Sequence, residues 1–367
     1  MVWSRVTASR MVSYKRTMLM CTLGRRYFMT SGVRYGSSLV YSEYGDPEKV
    51  VQMTQQELPV VNSKQVLVKM LAATVNPADI NTIQGVYAVK PSLPSIPGNE
   101  GIGEVLVLGK EAEDYFQPGD RVIPRLNAWG TWRTHAVADF TDLIKIPPDI
   151  ALATGATIAV NPGTAYRMLK DFVPLKHGDT VIQNGANSAV GQAVIQIAAA
   201  WGLKTINVVR DRPSVMNLKQ KLLDLGGTVV LTESEIRKSE ELKAFPKPSL
   251  GLNCVSGKSG TEILRQLAPR GVMVTYGGMS RQPVTVPVGL LIFNDVALKG
   301  FWMTRWNKEH YNHPKRQEML DDLFQLARDD LLQPPEHSLV PFDSYLVALK
   351  NAMPKDGMLG KKQILVF

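Results

Sequence analysis

Two short stretches of the sequence have the residue types to hold a phosphorylated nucleotide. The first is "QNGANSAVGQA" (Gln183–Ala193). Anion binding at a helix start requires a tight turn, close backbone approach and a helix N-terminus aimed at the charge. Gly185 can make the turn, and Gly191 lets the following helix pack against the strand. Ser188 and Ala189, between them, are small but are not glycine, so the dinucleotide fingerprint is matched imperfectly. Alone, the loop also suits an ordinary strand-to-helix turn. The second stretch, "VVRDRPS" (Val208–Ser214), ends the next strand with Arg210 and Arg212. NAD-specific folds usually place a carboxylate there for the ribose 2′-hydroxyl. Guanidinium groups instead pair with a 2′-phosphate, which points to NADPH rather than NADH. Asp211, between the two arginines, leaves some of the NAD character in place, and arginines that merely cap a strand are the plain alternative.

Metal and disulfide chemistry have little to work with. The chain has two cysteines, Cys21 and Cys254, and five histidines. Two cysteines cannot make a four-cysteine zinc site. His310 and His313 are three residues apart with no cysteine nearby, which reads as surface rather than ligand. Cys254, in "LGLNCV", reads as a small buried hydrophobe on a strand.

These motifs need elements to carry them. From Val40 to about Leu143 the chain alternates short valine-rich strands with turns: "QVLVKMLAATV" (Gln65–Val75), "GIGEVLVLG" (Gly101–Gly109) and "QPGDRVIP" (Gln117–Pro124). Pro118 and Gly119 are turn residues for distinct steric reasons. This predicts an antiparallel β-rich domain. After about Asn161 the pattern changes. "DTVIQN", "KTINVV", "TVVLT", "LGLNCV" and "VMVTYGG" read as buried strands separated by helices. In the first helix Val190, Val194, Ile197 and Ala198 make one apolar face. Alternation of this kind predicts an α/β fold with a doubly wound parallel sheet. "RQEMLDDLFQLARDD" (Arg316–Asp330) is an amphipathic helix beyond it. The final "KKQILVF" (Lys361–Phe367) reads as a strand that rejoins the first domain.

The 367 residues fit about two domains. No apolar run approaches the ~20 residues needed to span a bilayer. The net charge of +9 does not indicate nucleic acid, because it is unevenly placed. Residues 1–42 hold seven basic and no acidic residues, which leaves about +2 for the rest. A basic, acid-free, Ser/Thr-containing start reads as a mitochondrial targeting segment. "RRYFMTS" (Arg25–Ser31), with Arg26, Phe28 and Ser31, resembles a processing site, and cleavage is expected somewhere around residues 27–36.

Many blocks in order carry a resemblance: "NPADINTIQGVY" (Asn76–Tyr87), "PGNEG" (Pro97–Gly101), "NPGTAYRML" (Asn161–Leu169), "NSAVGQAVIQIAAA" (Asn187–Ala200), "INVVRDRP" (Ile206–Pro213), "VTYGGM" (Val274–Met279), "LKGFWM" (Leu298–Met303) and "KQIL" (Lys362–Leu365). Together they resemble the medium-chain dehydrogenase/reductase superfamily and, within it, the mitochondrial enoyl-thioester reductases. The resemblance covers essentially everything after residue 36. It implies a GroES-like β-rich catalytic domain over 36–160, completed by 317–367, with a Rossmann domain over 161–316; residues 1–35 are the targeting segment. For the cofactor, NADPH, it implies Asn161 near the nicotinamide ribose, and Asn187, Ser188, Ala189 and Val190 on the diphosphate loop. Arg210, Asp211 and Arg212 fall at the 2′-phosphate. Tyr276, Gly277, Gly278 and Met279, with Phe301, Trp302 and Met303, fall on the nicotinamide side, and Lys362 is a C-terminal contact. The family commonly has glycine at Ala189, so a methyl group must fit there.

In zinc alcohol dehydrogenases, a stretch similar to "PGNEG" has a metal-binding histidine where this chain has Asn99. A metal-free site is implied, with Glu100 and the glycines kept as scaffold. Enoyl-thioester reduction adds hydride at the β-carbon and a proton at the α-carbon, with charge building on the thioester oxygen. That requires hydrogen-bond donors and an acid rather than a metal. Tyr87 is the catalytic residue by resemblance, and a phenol is protonated at neutral pH. The implied function is NADPH-dependent reduction of trans-2-enoyl thioesters, on acyl carrier protein or CoA, in mitochondrial fatty acid synthesis in the matrix. A quinone or enone reductase of the same superfamily is the alternative enzyme, and a nucleotide-binding interaction protein the non-enzymatic one. The basic, aromatic run Thr304–Arg316 could meet a carrier. The family implies a homodimer, with no nucleic-acid partner.

Overall fold

The computed structural model describes residues 34–353 and 360–367. The expected targeting segment, its processing run and Cys21 lie outside the described residues, apart from the last two positions of the segment. The chain begins with an antiparallel ribbon of β1 (Tyr35–Tyr41) and β2 (Val51–Glu57), joined through the one-turn helix α1 (Pro47–Val50). Then come β3 (Gln65–Val75), α2 (Pro77–Ile83), β4 (Gly101–Leu108), β5 (Arg121–Pro124), β6 (His135–Asp139) and β7 (Leu143–Lys145). Helices α3 (Leu152–Thr157) and α4 (Asn161–Asp171) lead out of this β-rich part.

The alternating region follows as β8 (Thr180–Asn184), α5 (Ala189–Ala200), β9 (Lys204–Val209), α6 (Val215–Asp224), β10 (Val229–Thr232), β11 (Leu250–Asn253), α7 (Gly257–Gln266), β12 (Val272–Thr275), α8 (Val288–Ile292) and β13 (Ala297–Gly300). These six strands form one parallel sheet in the order β10-β9-β8-β11-β12-β13. Every residue of β8, β10 and β11 is buried, as helices on both faces require. Cys254 is buried just past β11 rather than on it. In α5, Val194, Ile197 and Ala198 are fully buried. Val190 is only half-buried, because the first turn of the helix overhangs a cleft.

The last elements are α9 (Met303–Glu309), α10 (Pro314–Arg328), β14 (His337–Pro341), α11 (Tyr345–Ala352) and β15 (Lys362–Val366). The expected boundary between residues 316 and 317 falls inside α10, which joins α4 and α5 in one core through Met319, Leu320, Leu323 and Phe324. The C-terminal strand returns to the β-rich domain as expected. It lies antiparallel to β3 and parallel to β14, in a sheet ordered β14-β15-β3-β4-β5-β7 with β6 also on β3. This return carries Lys362, the first residue of β15, into the seam between the two sheets.

The "PGNEG" segment is pinned across that seam. Gly98 has φ of +114°, and a side chain there would come within 2.2 Å of Thr131 Oγ1. Only glycine accepts both demands. The Gly98 carbonyl takes N–H groups from Gly130 (3.0 Å) and Thr131 (3.3 Å), which holds the stretch against the loop before β6.

Candidate active site

A groove with about 300 Å³ of internal space runs past the C-terminal ends of the parallel strands, where ligands bind in open α/β sheets. Its floor is the loop between β8 and α5. Gly185 has φ of +59°, and a side chain there would strike Cys254 Sγ at 2.4 Å. Ser188 caps α5: its hydroxyl accepts the Gly191 N–H at 3.1 Å. Helix geometry then leaves the N–H groups of Ala189 and Val190 without partners inside the helix, at the groove wall. Asn187 and Gly277 also line it. The Tyr276 hydroxyl is buried here beside Ser188 and Cys254, with no completed hydrogen bond.

Arg210 and Arg212 line the outer end, and Arg212 Nε donates to the Arg210 carbonyl at 3.3 Å. Partial burial, together with the charge of Arg210, lowers the pKa of Arg212. Asp211 turns away from the groove: its carboxylate accepts the Ser234 N–H at 3.1 Å and the Ser234 hydroxyl at 2.5 Å. Of the "YGGM" run, Met279 lines the groove, whereas Gly278 is exposed outside its wall.

At its inner end the groove reaches Asn161 and Lys362 and adjoins a smaller cavity of about 140 Å³. Val190 and Tyr276 line both spaces. Phe301, Trp302 and Met303 line the smaller cavity, as does Tyr87. Tyr87 follows α2 by four residues, and the N–H groups of Val86 and Tyr87 both donate to the Asn81 carbonyl, at 3.0 and 3.1 Å. Its phenol oxygen accepts the indole N–H of Trp302 at 2.9 Å, with the rings edge to face. Burial pushes the Tyr87 phenol above its ordinary pKa, against the lowering effect of Trp302, and the nearby Asp79 charge adds to the rise.

The chain was compared with known proteins. Residues 62–148 match the alcohol dehydrogenase GroES-like domain, and residues 189–320 match the zinc-binding dehydrogenase family. The mitochondrial enoyl-[acyl-carrier-protein] reductase of Rattus norvegicus is 50% identical, with 94% of this chain and 93% of that protein covered. The Homo sapiens enzyme of the same name is 51% identical, over 89% and 88%. Among solved structures, the Etr1p complex with NADP and crotonyl-CoA superposes with a TM-score of 0.83 at 34% identity, covering 91% of this chain and 100% of that one. The chain belongs to the mitochondrial enoyl-[acyl-carrier-protein] reductase family.

This member of the family keeps the fold of the zinc-binding dehydrogenases. Both polar atoms of Asn99 are taken: Nδ2 donates to Asp79 Oδ1 at 2.6 Å, and Oδ1 accepts the Ala128 N–H at 2.9 Å. Among the described residues no three His, Cys, Asp or Glu side chains cluster as a metal site would require.

Asp79 belongs to a buried network that the sequence reading did not single out. Glu100 Oε1 accepts from Thr74 Oγ1 (3.0 Å), Asn76 Nδ2 (2.8 Å) and Asn161 Nδ2 (3.5 Å), and its Oε2 accepts the Val160 N–H (2.9 Å). The Lys362 ammonium donates to Asn76 Oδ1. Asp79 Oδ2 accepts the Asn76 N–H at 2.7 Å. A helix-start signal was available in "NPAD", where Asn76 precedes Pro77 and an acid stands three residues on. Burial raises the pKa of both carboxylates and lowers that of Lys362, while their mutual attraction opposes each shift.

Asp79 is pushed up to about 7, whereas an unfolded aspartate titrates near ~4. The native state therefore holds a proton that the unfolded chain has released. This contribution to stability is complete below about pH 4 and is lost as the pH rises through about 7. Asp79→Asn is expected to flatten the fall in unfolding free energy across this window. Denaturant titrations of both proteins at several pH values measure the difference, and parallel curves would refute the shift.

Proposed function

We propose that this enzyme reduces trans-2-enoyl thioesters with NADPH, in mitochondrial fatty acid synthesis. The observation that carries the reading is the junction of the two spaces: a phosphate-binding groove ending in two arginines meets, at Val190 and Tyr276, a cavity walled by Tyr87 and Trp302. The family membership and the Etr1p complex with NADP and crotonyl-CoA support it.

The residues that do line the groove suit successive parts of the cofactor. The open first turn of α5, with Ala189 and Val190 at the groove wall, suits the diphosphate. Arg210 and Arg212 would hold the 2′-phosphate, with Asp211 held off by Ser234. Asn161 and Lys362 would hold the nicotinamide ribose, and the unsatisfied Tyr276 hydroxyl is available at the same end. When bound, NADPH supplies the hydride. Tyr87 answers the charge that builds on the thioester oxygen. Its oxygen accepts from Trp302, a donor only, so Trp302 does not compete for the phenol proton; the Thr304 hydroxyl also lies close by. Its raised pKa keeps that proton in place until the substrate becomes basic. Trp302 thus aims the phenol as well as walling the cavity.

The thioester is carried on acyl carrier protein or CoA, and the enzyme acts in the mitochondrion. We read residues 1–35 as the targeting segment, 36–160 with the residues after α10 as the catalytic domain, and 161–328, through the end of α10, as the cofactor domain. We also read the enzyme as a homodimer. The supporting feature is β13, an edge strand of the parallel sheet: its Leu298 is exposed, as are Ile292 (66%) and Phe293 (84%) at the end of α8. An unpaired edge flanked by apolar groups suits a two-fold contact with a second copy.

Tyr87→Phe is expected to cut kcat on a trans-2-enoyl-CoA by about a hundredfold with little change in NADPH affinity; wild-type turnover would remove Tyr87 from the mechanism. Wild-type NADPH oxidation should be faster with the enoyl-CoA than with a quinone, and the reverse would favour a quinone reductase. Replacing both Arg210 and Arg212 by alanine should weaken NADPH far more than NADH, and equal losses would defeat the 2′-phosphate assignment. The pair Ile292→Asp and Phe293→Asp should yield monomers by light scattering, and an unchanged dimer would place the interface elsewhere.

A further inference from the structure

The Asn99 side chain sits where two loops and a helix meet, and both of its bonds have defined direction. The Ala128 N–H can only donate, so the atom facing it is Oδ1 (2.9 Å). The Nδ2 group therefore faces Asp79, a carboxylate that can only accept when ionised (2.6 Å). This removes the usual ambiguity about which way an asparagine amide points.

Neither end of this bridge is loose. Ala128 has φ of 58°, a left-handed conformation that a residue with a side chain keeps only when its surroundings hold it. Just beyond it, Gly130, Thr131 and Trp132 are bonded through their N–H groups to the carbonyls of Gly98 and Pro97. On the other side Asp79 is buried in α2, with its second oxygen on the Asn76 N–H. Helix α2 in turn carries the Asn81 carbonyl, on which the N–H groups of both Val86 and Tyr87 hang. A continuous line of directed bonds thus runs from the loop at Ala128, through Asn99 and Asp79, along α2, to the backbone of Tyr87.

We infer that Asn99 is a positioning residue for Tyr87: acting through Asp79, it fixes α2 against the loop at Ala128 and so sets where the Tyr87 hydroxyl stands in the cavity. This rests on the reductase reading for its effect on turnover, but not for its effect on the backbone. Asn99 is absent from the wall of the larger groove and lines the smaller cavity beside Tyr87, where both of its polar atoms are already engaged by Asp79 and Ala128. The hydroxyl is held from the opposite side by Trp302, and a small displacement of α2 would pull these two anchors out of register.

The test exploits the direction of the bonds. Asn99→Leu keeps the side chain's approximate size and removes both. Asn99→Asp keeps the acceptor for Ala128 but replaces the amide donor to Asp79 with a second carboxyl group. The combined exchange Asp79→Asn/Asn99→Asp restores every bond, with donor and acceptor reversed only between positions 79 and 99: the new carboxylate accepts from Ala128 and from the new amide, whose oxygen still takes the Asn76 N–H. Each single variant at Asn99 is expected to lower kcat by about tenfold or more, with NADPH Kd changed by less than about threefold. The exchange should recover most of kcat. Hydrogen exchange at the Val86 and Tyr87 amides should quicken in the single variants and slow again in the exchange. Wild-type kcat and amide protection in the single variants would overturn the inference, as would an exchange variant no better than the worse single one. If the unsubstituted enzyme turned over no enoyl thioester, the reductase reading would fall, while the amide measurements would still decide the role of Asn99.

Discussion

Two buried carboxylates and one half-buried ammonium meet at the seam between the sheets, and the rest of the cleft is arranged around satisfying them. Asp79, Glu100 and Lys362 would each be costly to bury alone. Together they are surrounded by amides and hydroxyls: Asn76 reaches Glu100 and Lys362, Thr74 and Asn161 reach Glu100, and Asn99 reaches Asp79. These residues come from β3, α2, the "PGNEG" segment, α4 and β15, so the cluster can be satisfied only when all five are in place. A half-satisfied network of this kind is worse than an apolar core, which makes the cluster a demanding specification of one geometry.

That geometry delivers the chemistry to one place. Lys362 arrives on the final strand, Asn161 at the start of α4, and Val190 on the first turn of α5. Tyr87 arrives on the loop after α2, where the indole of Trp302 meets it from a segment over two hundred positions away in the chain. The hydrogen bond between them joins the β-rich part to the end of the parallel sheet. The phenol therefore owes its orientation to both halves of the molecule, and its raised pKa to the burial that their contact creates. At the Asn99 position an amide satisfies a carboxylate and a backbone N–H at once, which uses the position as a strut.

Much of this was legible beforehand. The strands at Gln65–Val75 and Lys204–Val209 coincide with the valine- and isoleucine-rich runs read from the sequence, because β-branched apolar residues fill most buried strand positions. The loop after β8 was readable because a positive φ at Gly185 is a local demand that a local residue meets. Several details were not readable. Asp211 stands between two groove arginines in sequence yet turns to Ser234, because consecutive residues on an extended segment face opposite ways. Gly278 falls outside the groove wall while its neighbours Gly277 and Met279 line it. The "GFWM" segment serves the smaller cavity rather than the cofactor groove, a distinction of depth that no linear pattern encodes.

The sequence by itself determined the two-part α/β architecture, the turn after β8, the arginine pair and the family, because periodicity, turn chemistry and charge type are properties of residues near one another in the chain. Only the tertiary structure decided the Asp79–Glu100–Lys362 cluster, the bridge through Asn99 and the pairing of Tyr87 with Trp302. Each of these joins side chains from distant segments. The cost of burying a charge or an unpaired donor is set by whichever partners the fold brings within reach, and that is settled only when the sheets meet.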